Sequence, residues 1–242
     1  MMDQLKKLWQ IAFGDSEEAV DAFFSTAYAP ERCRYLCREN RVAAALYWLD
    51  SWYDGQKFAY IYGVATHPDF RGRGLCRELM ALTHADLSRQ GYAGAVLMPA
   101  KPDLRQMYAG FGYGECSTLS EITCTAASAV VVRTIDRQSY AALRREYLPS
   151  GGLIQEGENL RYLETYAQYY AGDDFLLTAV HQKNHLFGME LLGNARAASG
   201  ILAAMGYASG TFRIPGEEIP FAMCLPLRED ARMPSYLGLA FD

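Results

Sequence analysis

The chain has 242 residues, half of them hydrophobic and 21% charged, which supplies a packed core and excludes wholesale disorder. Its 23 basic and 28 acidic side chains give a net charge of −5. That balance argues against a dedicated nucleic-acid binder, which needs a basic face to displace counterions. No run approaches the roughly 20 consecutive apolar residues of a membrane helix.

Residues 1–14 mix polar and apolar positions, so no signal peptide is expected. The six cysteines (Cys33, Cys37, Cys76, Cys116, Cys124 and Cys224) contain no Cys-x-x-Cys pair. A zinc site is therefore not expected, and scattered free thiols fit a cytoplasmic location.

Leu5, Leu8, Trp9, Ala12 and Phe13 recur at helical spacing until Gly14. Asp15 or Ser16 can cap a second helix, with Glu17 and Glu18 in its first turn, running to about Tyr28. Residues 33–38 and 42–52 read as strands joined by a turn at Glu39-Asn40-Arg41, and 57–66 as a third, aromatic-rich strand. A Pro/Gly loop from Thr66 to Gly74 follows. The next helix is expected to turn Leu75, Leu79, Leu82 and Leu87 to the core and to stop at Gly91. A short buried strand over 93–98, a short helix over 103–110 and a strand over 118–125 complete this half.

The second half starts after the weakly patterned join 126–129. The pattern predicts a strand over 130–135, helices over 138–147 and 159–171, and a hairpin of 175–180 with 186–192. A helix over 194–205 and two strands around Pro215-Gly216 end the series. The order helix, Phe-Gly-Tyr, strand at 103–118 is echoed by helix, Met-Gly-Tyr, strand at 194–213, which suggests a second, degenerate copy of one unit.

The strand, loop and helix from Tyr60 to Leu87 carry the chemistry. Gly72 and Gly74 let backbone approach a ligand, and the first N–H groups of the helix lack intrahelical partners at its positive end. Arg71, Arg73 and Arg77 add charge, so the segment reads as a pyrophosphate cradle. It is not a Walker loop, since Gly-Lys-Ser/Thr is absent, and the dinucleotide fingerprint would need glycine in place of Arg77. A solvated turn with arginines stays open as the plain alternative.

The run Val64-Ala65-Thr66-His67-Pro68-Asp69-Phe70-Arg71-Gly72-Arg73-Gly74-Leu75 resembles motif A of the GCN5-related N-acetyltransferases (GNAT), Arg/Gln-x-x-Gly-x-Gly/Ala. Arg71 and Gly74 fit it, while Cys76 departs from the small sixth residue. Tyr108-Ala-Gly-Phe-Gly112-Tyr113 resembles the family's second element, Tyr-x-x-x-Gly-Phe/Tyr. The resemblance covers about residues 1–125. The whole chain is similar to the enhanced intracellular survival branch, whose members carry a second degenerate acetyltransferase-like region; their further C-terminal domain is not expected in this shorter chain.

The resemblance implies an α/β fold with a mixed, mostly antiparallel sheet flanked by helices, and a cofactor cleft where two parallel strands splay. It implies an acetyl-CoA-binding domain over 1–127 and a smaller, degenerate GNAT-like α/β region over 128–242. Acetyl-CoA would be the co-substrate, held by Val64, Ala65, Thr66, Arg71, Gly72, Arg73, Gly74, Leu75, Cys76 and Arg77. A backbone N–H at Val64 or Ala65 would polarise the thioester carbonyl, and Tyr108 would protonate the leaving thiolate. The strand before the loop contains no acid. A water chain could take the amine proton; in survival-type relatives the C-terminal carboxylate is the base, which would give that role to the Asp242 α-carboxylate, with an ordinary docked terminus as the plain alternative.

The expected acceptor is a small-molecule or peptide amine, with neither nucleic acid nor membrane as partner and self-association left open. The rival readings are a non-catalytic acyl-CoA sensor or structural module, and a generic nucleotide binder. Trp48, Trp52, Tyr53, Tyr60 and Tyr62 cluster on adjacent strands and are read as core packing or as an amine-facing wall. His181 and His185 flank a hairpin turn and are not expected to share a metal.

Overall fold

The computed structural model describes residues 1–241, so Asp242, the residue assigned as base, lies outside the described residues. In chain order the elements are α1 (Met2–Phe13), α2 (Glu17–Thr26), β1 (Cys33–Arg38), β2 (Arg41–Tyr53), β3 (Gln56–Thr66), α3 (Leu75–Arg89), β4 (Gly94–Leu97) and α4 (Pro102–Ala109). There follow β5 (Gly114–Thr125), β6 (Arg133–Thr134), α5 (Arg137–Tyr147), β7 (Ile154–Gln155), α6 (Glu158–Leu163), β8 (Gln168–Ala171), β9 (Phe175–Gln182), β10 (His185–Gly193), α7 (Ala198–Met205), β11 (Ser209–Pro215) and β12 (Ile219–Pro226).

Two compact units divide them. The first comprises Met1–Gly114, Gly157–Tyr162 and Met223–Met233; the second comprises Glu115–Glu156, Leu163–Ala222 and the segment from Pro234 on.

In the first unit the strand order is β1-β2-β3-β4, continued by the Met223–Pro226 end of β12. Every pair is antiparallel except β3 with β4, which is parallel across the α3 connection. Glu39 and Asn40 both have positive φ, as a tight hairpin turn requires. Ser16 Oγ accepts the Ala19 N–H at 3.2 Å and caps α2. Segment 157–162 belongs here because Glu158 Oε1 accepts the Asp50 N–H at 2.8 Å and Asn159 Nδ2 donates to Asp50 O at 2.8 Å. Its core packs α3 and α4 on Trp48, Ala59, Ile61 and Leu97.

In the second unit the order is β5-β11-β10-β9-β8-β6. Again one pair is parallel, β10 with β11 across α7, and the remaining pairs are antiparallel. Both units are thus mixed, mostly antiparallel sheets flanked by helices. Apolar α7 places Ile201 and Leu202 on Phe212, Leu177 and Leu186.

Several sequence expectations give way. The helix read over 159–171 ends at Leu163, and Gln168–Ala171 is strand β8. Pairing with β9 and the stacking of Tyr169 on Tyr140 (centroids 4.2 Å apart) override local helix propensity. Of the strand expected over 130–135, only Arg133–Thr134 pairs. Leu82 is 49% exposed, and Met80 and Thr83 take its place on the buried face of α3. The internal echo is shifted by one helix. Helix α7 joins two parallel strands, which is the position of α3 in the first unit and not that of α4.

Candidate active site

The parallel pair of the first unit diverges early. Its ladder runs from Phe58↔Gly94 to Tyr60↔Val96, yet β3 continues to Thr66 while β4 stops at Leu97. Beyond the divergence β3 carries a bulge against β2, between the pairs Ala45↔Ala65 and Tyr47↔Tyr62. Gly63 lies in it at φ +60°, and a Cβ there would stand 3.0 Å from the Trp9 and Tyr47 rings, so both conformation and space require glycine. The His67 N–H donates to Ala43 O at 2.9 Å. By the alternation of an antiparallel ladder, Ala65 then faces β2, and the N–H groups of Thr66 and Val64 turn to the edge that β4 has left.

The chain next folds into a short 3₁₀ turn, Pro68–Phe70, which His67 Nδ1 caps by accepting the Asp69 N–H at 3.2 Å. His67 is therefore a loop cap. Phe70 is buried beneath the loop, with the Arg41 and Arg73 guanidinium groups over its ring at 5.0 and 5.2 Å. Arg71 Nε donates to Thr66 O at 3.2 Å and closes the turn. Gly72 and Gly74 have φ of +73° and +77°, and a Cβ at either would meet nothing within 4 Å. Left-handed backbone, not crowding, demands glycine there, and the space in front is open.

Gly74 is the N-cap of α3, and the first intrahelical bond runs from Glu78 N–H to Gly74 O at 3.1 Å. The N–H groups of Gly72, Arg73, Gly74, Leu75, Cys76 and Arg77 have no backbone acceptor among the described residues. This row of donors at the positive end of a 15-residue helix fits a pyrophosphate. The Arg77 side chain does something further. Its NH1 donates to Gly110 O at 3.2 Å and its guanidinium covers Phe111 at 4.9 Å, tying α3 to the end of α4.

That tie sets the position of Tyr108. Its ring is 7% exposed and edge-on to Phe111 and Tyr113, at 6.1 and 5.9 Å. Burial, with the Cys76 thiol nearby, pushes its pKa up, so the phenol holds its proton at neutral pH. No hydrogen bond among the described residues engages that hydroxyl. Burial also raises the Cys76 pKa, which makes it a poor nucleophile. Tyr113 is structural: His84 Nε2 and the Tyr113 hydroxyl are 2.9 Å apart, and burial pushes His84 down to about 4.

Sequence reasoning missed Gly63 and the Arg77 tie. An isolated glycine inside an otherwise aromatic strand was the available signal for the first. The aromatic cluster divides. Trp48 is buried and donates to the Tyr92 hydroxyl at 3.1 Å, while Trp52 is 46% exposed. Tyr62 packs with Trp9 and Phe23 and shares a hydroxyl contact of 3.3 Å with Tyr162. His181 and His185 do not converge: His181 lies between the Tyr170 and Tyr207 hydroxyls, and His185 Nε2 faces Thr211.

A splayed parallel pair, a bulge on its longer strand and a glycine loop feeding a helix N-terminus define the GNAT class of acetyltransferase fold. Residues 1–116 match the family model described as acetyltransferase (GNAT) domain. Among solved structures the chain is similar to a GCN5-related N-acetyltransferase from Anabaena variabilis ATCC 29413, with a TM-score of 0.72 at 16% identity over 94% of this chain and 70% of that one. It is similar to Eis1 from Mycobacterium abscessus, with a TM-score of 0.71 at 12% identity over 95% of this chain and 72% of that one. A tandem GNAT protein from the clavulanic acid biosynthesis pathway gives a TM-score of 0.58 at 12% identity over 95% of both chains. No curated protein matches the chain.

Proposed function

We propose that the protein is a cytoplasmic N-acetyltransferase that moves the acetyl group of acetyl-CoA directly to a primary amine. The observation that carries this reading is the row of partnerless N–H groups from Gly72 to Arg77, beside a β3 edge that β4 has vacated. In this reading residues 1–127 bind acetyl-CoA and carry the acid, and 128–242 are a degenerate GNAT-like region without a phosphate loop that supplies the base.

The N–H groups of Gly72 to Arg77 would hold the pyrophosphate, with Arg71 and Arg73 adding charge. Val64 N–H would donate to the thioester oxygen as negative charge grows there; Ala65, whose N–H faces β2, would line the cleft, and Thr66 would anchor the loop. Tyr108 would give its proton to the departing sulfur; its raised pKa favours the protonated form needed for that step. Loss of the amine proton falls to the Asp242 α-carboxylate. Bound acetyl-CoA supplies the activated acyl group; the chain's own groups orient it and move protons.

Strand β3 carries no carboxylate, which favours a second reading, an acyl-CoA-binding module without turnover. Thiol release separates the two. The enzyme liberates CoA faster when a suitable amine is added, and the module does not. Calorimetric titration of acetyl-CoA into the native protein and into Gly74→Asp comes first. Loss of binding in a folded Gly74→Asp supports the site; absence of binding by the native protein refutes both readings.

A further inference from the structure

The second unit repeats the geometry of the first up to the point where a ligand would lie. Its parallel ladder runs only from Leu186↔Gly210 to Gly188↔Phe212, while β10 continues to Gly193. A bulge follows the divergence at once, since Gly188 pairs with Ala179 and Glu190 with Thr178. Here too the longer strand has a vacated edge. No glycine-rich loop follows it; Gly193-Asn194-Ala195-Arg196 leads into apolar α7.

A segment of the chain itself is held on both sides of this splay, on β10 and on β5, the strand that pairs with the far side of β11. On β10, Glu190 accepts the Tyr236 hydroxyl at 3.1 Å. On β5, Ser117 Oγ accepts the Leu237 N–H at 3.0 Å, and Ser117 lies just beyond Leu119, the last residue paired with β11. Gln155 Nε2 donates to Leu239 O at 2.7 Å, and the Leu153 N–H donates to Tyr236 O at 2.8 Å. Gly238 rests against the carboxylate so closely that a Cβ would fall 1.7 Å from Glu190 Oε1. Tyr236, Leu237, Leu239, Ala240 and Phe241 are all buried.

Glu190 is a carboxylate with no exposure of its side chain, and the GNAT chemistry of the first unit does not use it. Arg144 neutralises it through two bonds of 2.7 and 2.9 Å, and Tyr140 donates to it at 3.1 Å. A buried ion pair this costly to desolvate is a weak source of stability. Its carboxylate also accepts the Tyr236 hydroxyl and abuts Gly238.

We infer that the splay of the second unit is a ligand cleft whose occupant is the chain's own segment 236–241, seated by Glu190, so that each chain takes up one acyl-CoA and not two. The occupancy of this cleft stands on the second unit alone, while the count of one acyl-CoA per chain rests also on the proposed function.

Two measurements on the full-length protein test it. Hydrogen exchange should show the Leu237 amide, which donates to Ser117, and the Leu153 amide, which donates to Tyr236 O, protected in the native protein. In Gly238→Val, which drives a side chain into Glu190, those amides should exchange at least about a hundredfold faster. Tyr236→Phe is the milder variant, guarding against failure of Gly238→Val to fold; loss of one bond to a buried carboxylate should speed the same amides about tenfold. Calorimetry of the native protein should give one acetyl-CoA per chain. Two per chain, rapid native exchange of these amides, or unchanged protection in both folded variants would overturn the inference. Failure to bind acetyl-CoA at all would refute the proposed function and leave exchange to decide this inference.

Discussion

At the scale of single residues, three side chains carry separable roles. Tyr108 is buried and its hydroxyl is unengaged among the described residues, an arrangement that suits proton donation. Tyr108→Phe keeps the ring packing, so kcat should fall about 10²-fold or more while acetyl-CoA binding is retained, as single-turnover thiol release and calorimetry would show. Its helix is placed by Arg77, whose bond to Gly110 O makes that residue a brace between α3 and α4. His84 provides a pH signature. Its pKa in the folded protein is about 4, below the ordinary value of 6.5, because burial penalises the imidazolium. Between those values the unfolded chain takes up a proton that the folded protein refuses. Stability from this group is complete above pH 6.5 and drains as pH falls toward 4, by up to about 3 kcal/mol in all. Urea midpoints measured across that range should show the loss, and His84→Gln should flatten it.

At the scale of elements, the bulge in β3 decides where the sheet stops and a site begins. Gly63 fills the only space left by Trp9 and Tyr47 while holding a left-handed backbone. Gly63→Ala should therefore destabilise by about 2 kcal/mol or more, seen as a lowered thermal midpoint, because strain and crowding add. The glycine loop behaves differently. A Cβ at Gly74 meets no protein atom, so Gly74→Asp should cost stability only through its φ while cutting acetyl-CoA affinity at least tenfold by placing a carboxylate where phosphate oxygens approach. The contrast between these glycines separates a packing requirement from a binding one.

At the scale of the whole molecule, sequence order and structural units do not coincide. The first unit takes its capping segment from 157–162 and its last strand from Met223–Pro226, which pairs with β4 from Met223↔Leu97 to Pro226↔Gly94. A fragment of residues 1–127 lacks both. Four fully buried residues of β4 would become an edge, and the Asp50 N–H would lose its Glu158 acceptor. Such a fragment should show no cooperative thermal transition by circular dichroism, where the full chain shows one. In the second unit, Arg144→Met should cost about 3–5 kcal/mol by stranding the Glu190 carboxylate, and Arg144→Met with Glu190→Met should recover much of that loss. Chemical denaturation of the three variants checks it.

The sequence by itself determined what depends on local chemistry. The cap at Ser16, the hairpin turn at Glu39-Asn40, the left-handed glycines 72 and 74 and the run of helical donors behind them are set within a few residues, where backbone sterics and orphan N–H groups act. Tertiary structure alone decided the rest. Whether 168–171 is helix or strand rests on pairing with β9 and on the stacked ring of Tyr140, more than twenty residues away in sequence. Which N–H of β3 faces the vacated edge follows from its register on β2, and one bulge shifts that register. The seat of 236–241 on Glu190 joins residues 46 apart, a pairing that no local periodicity encodes because its energy exists only once both are buried.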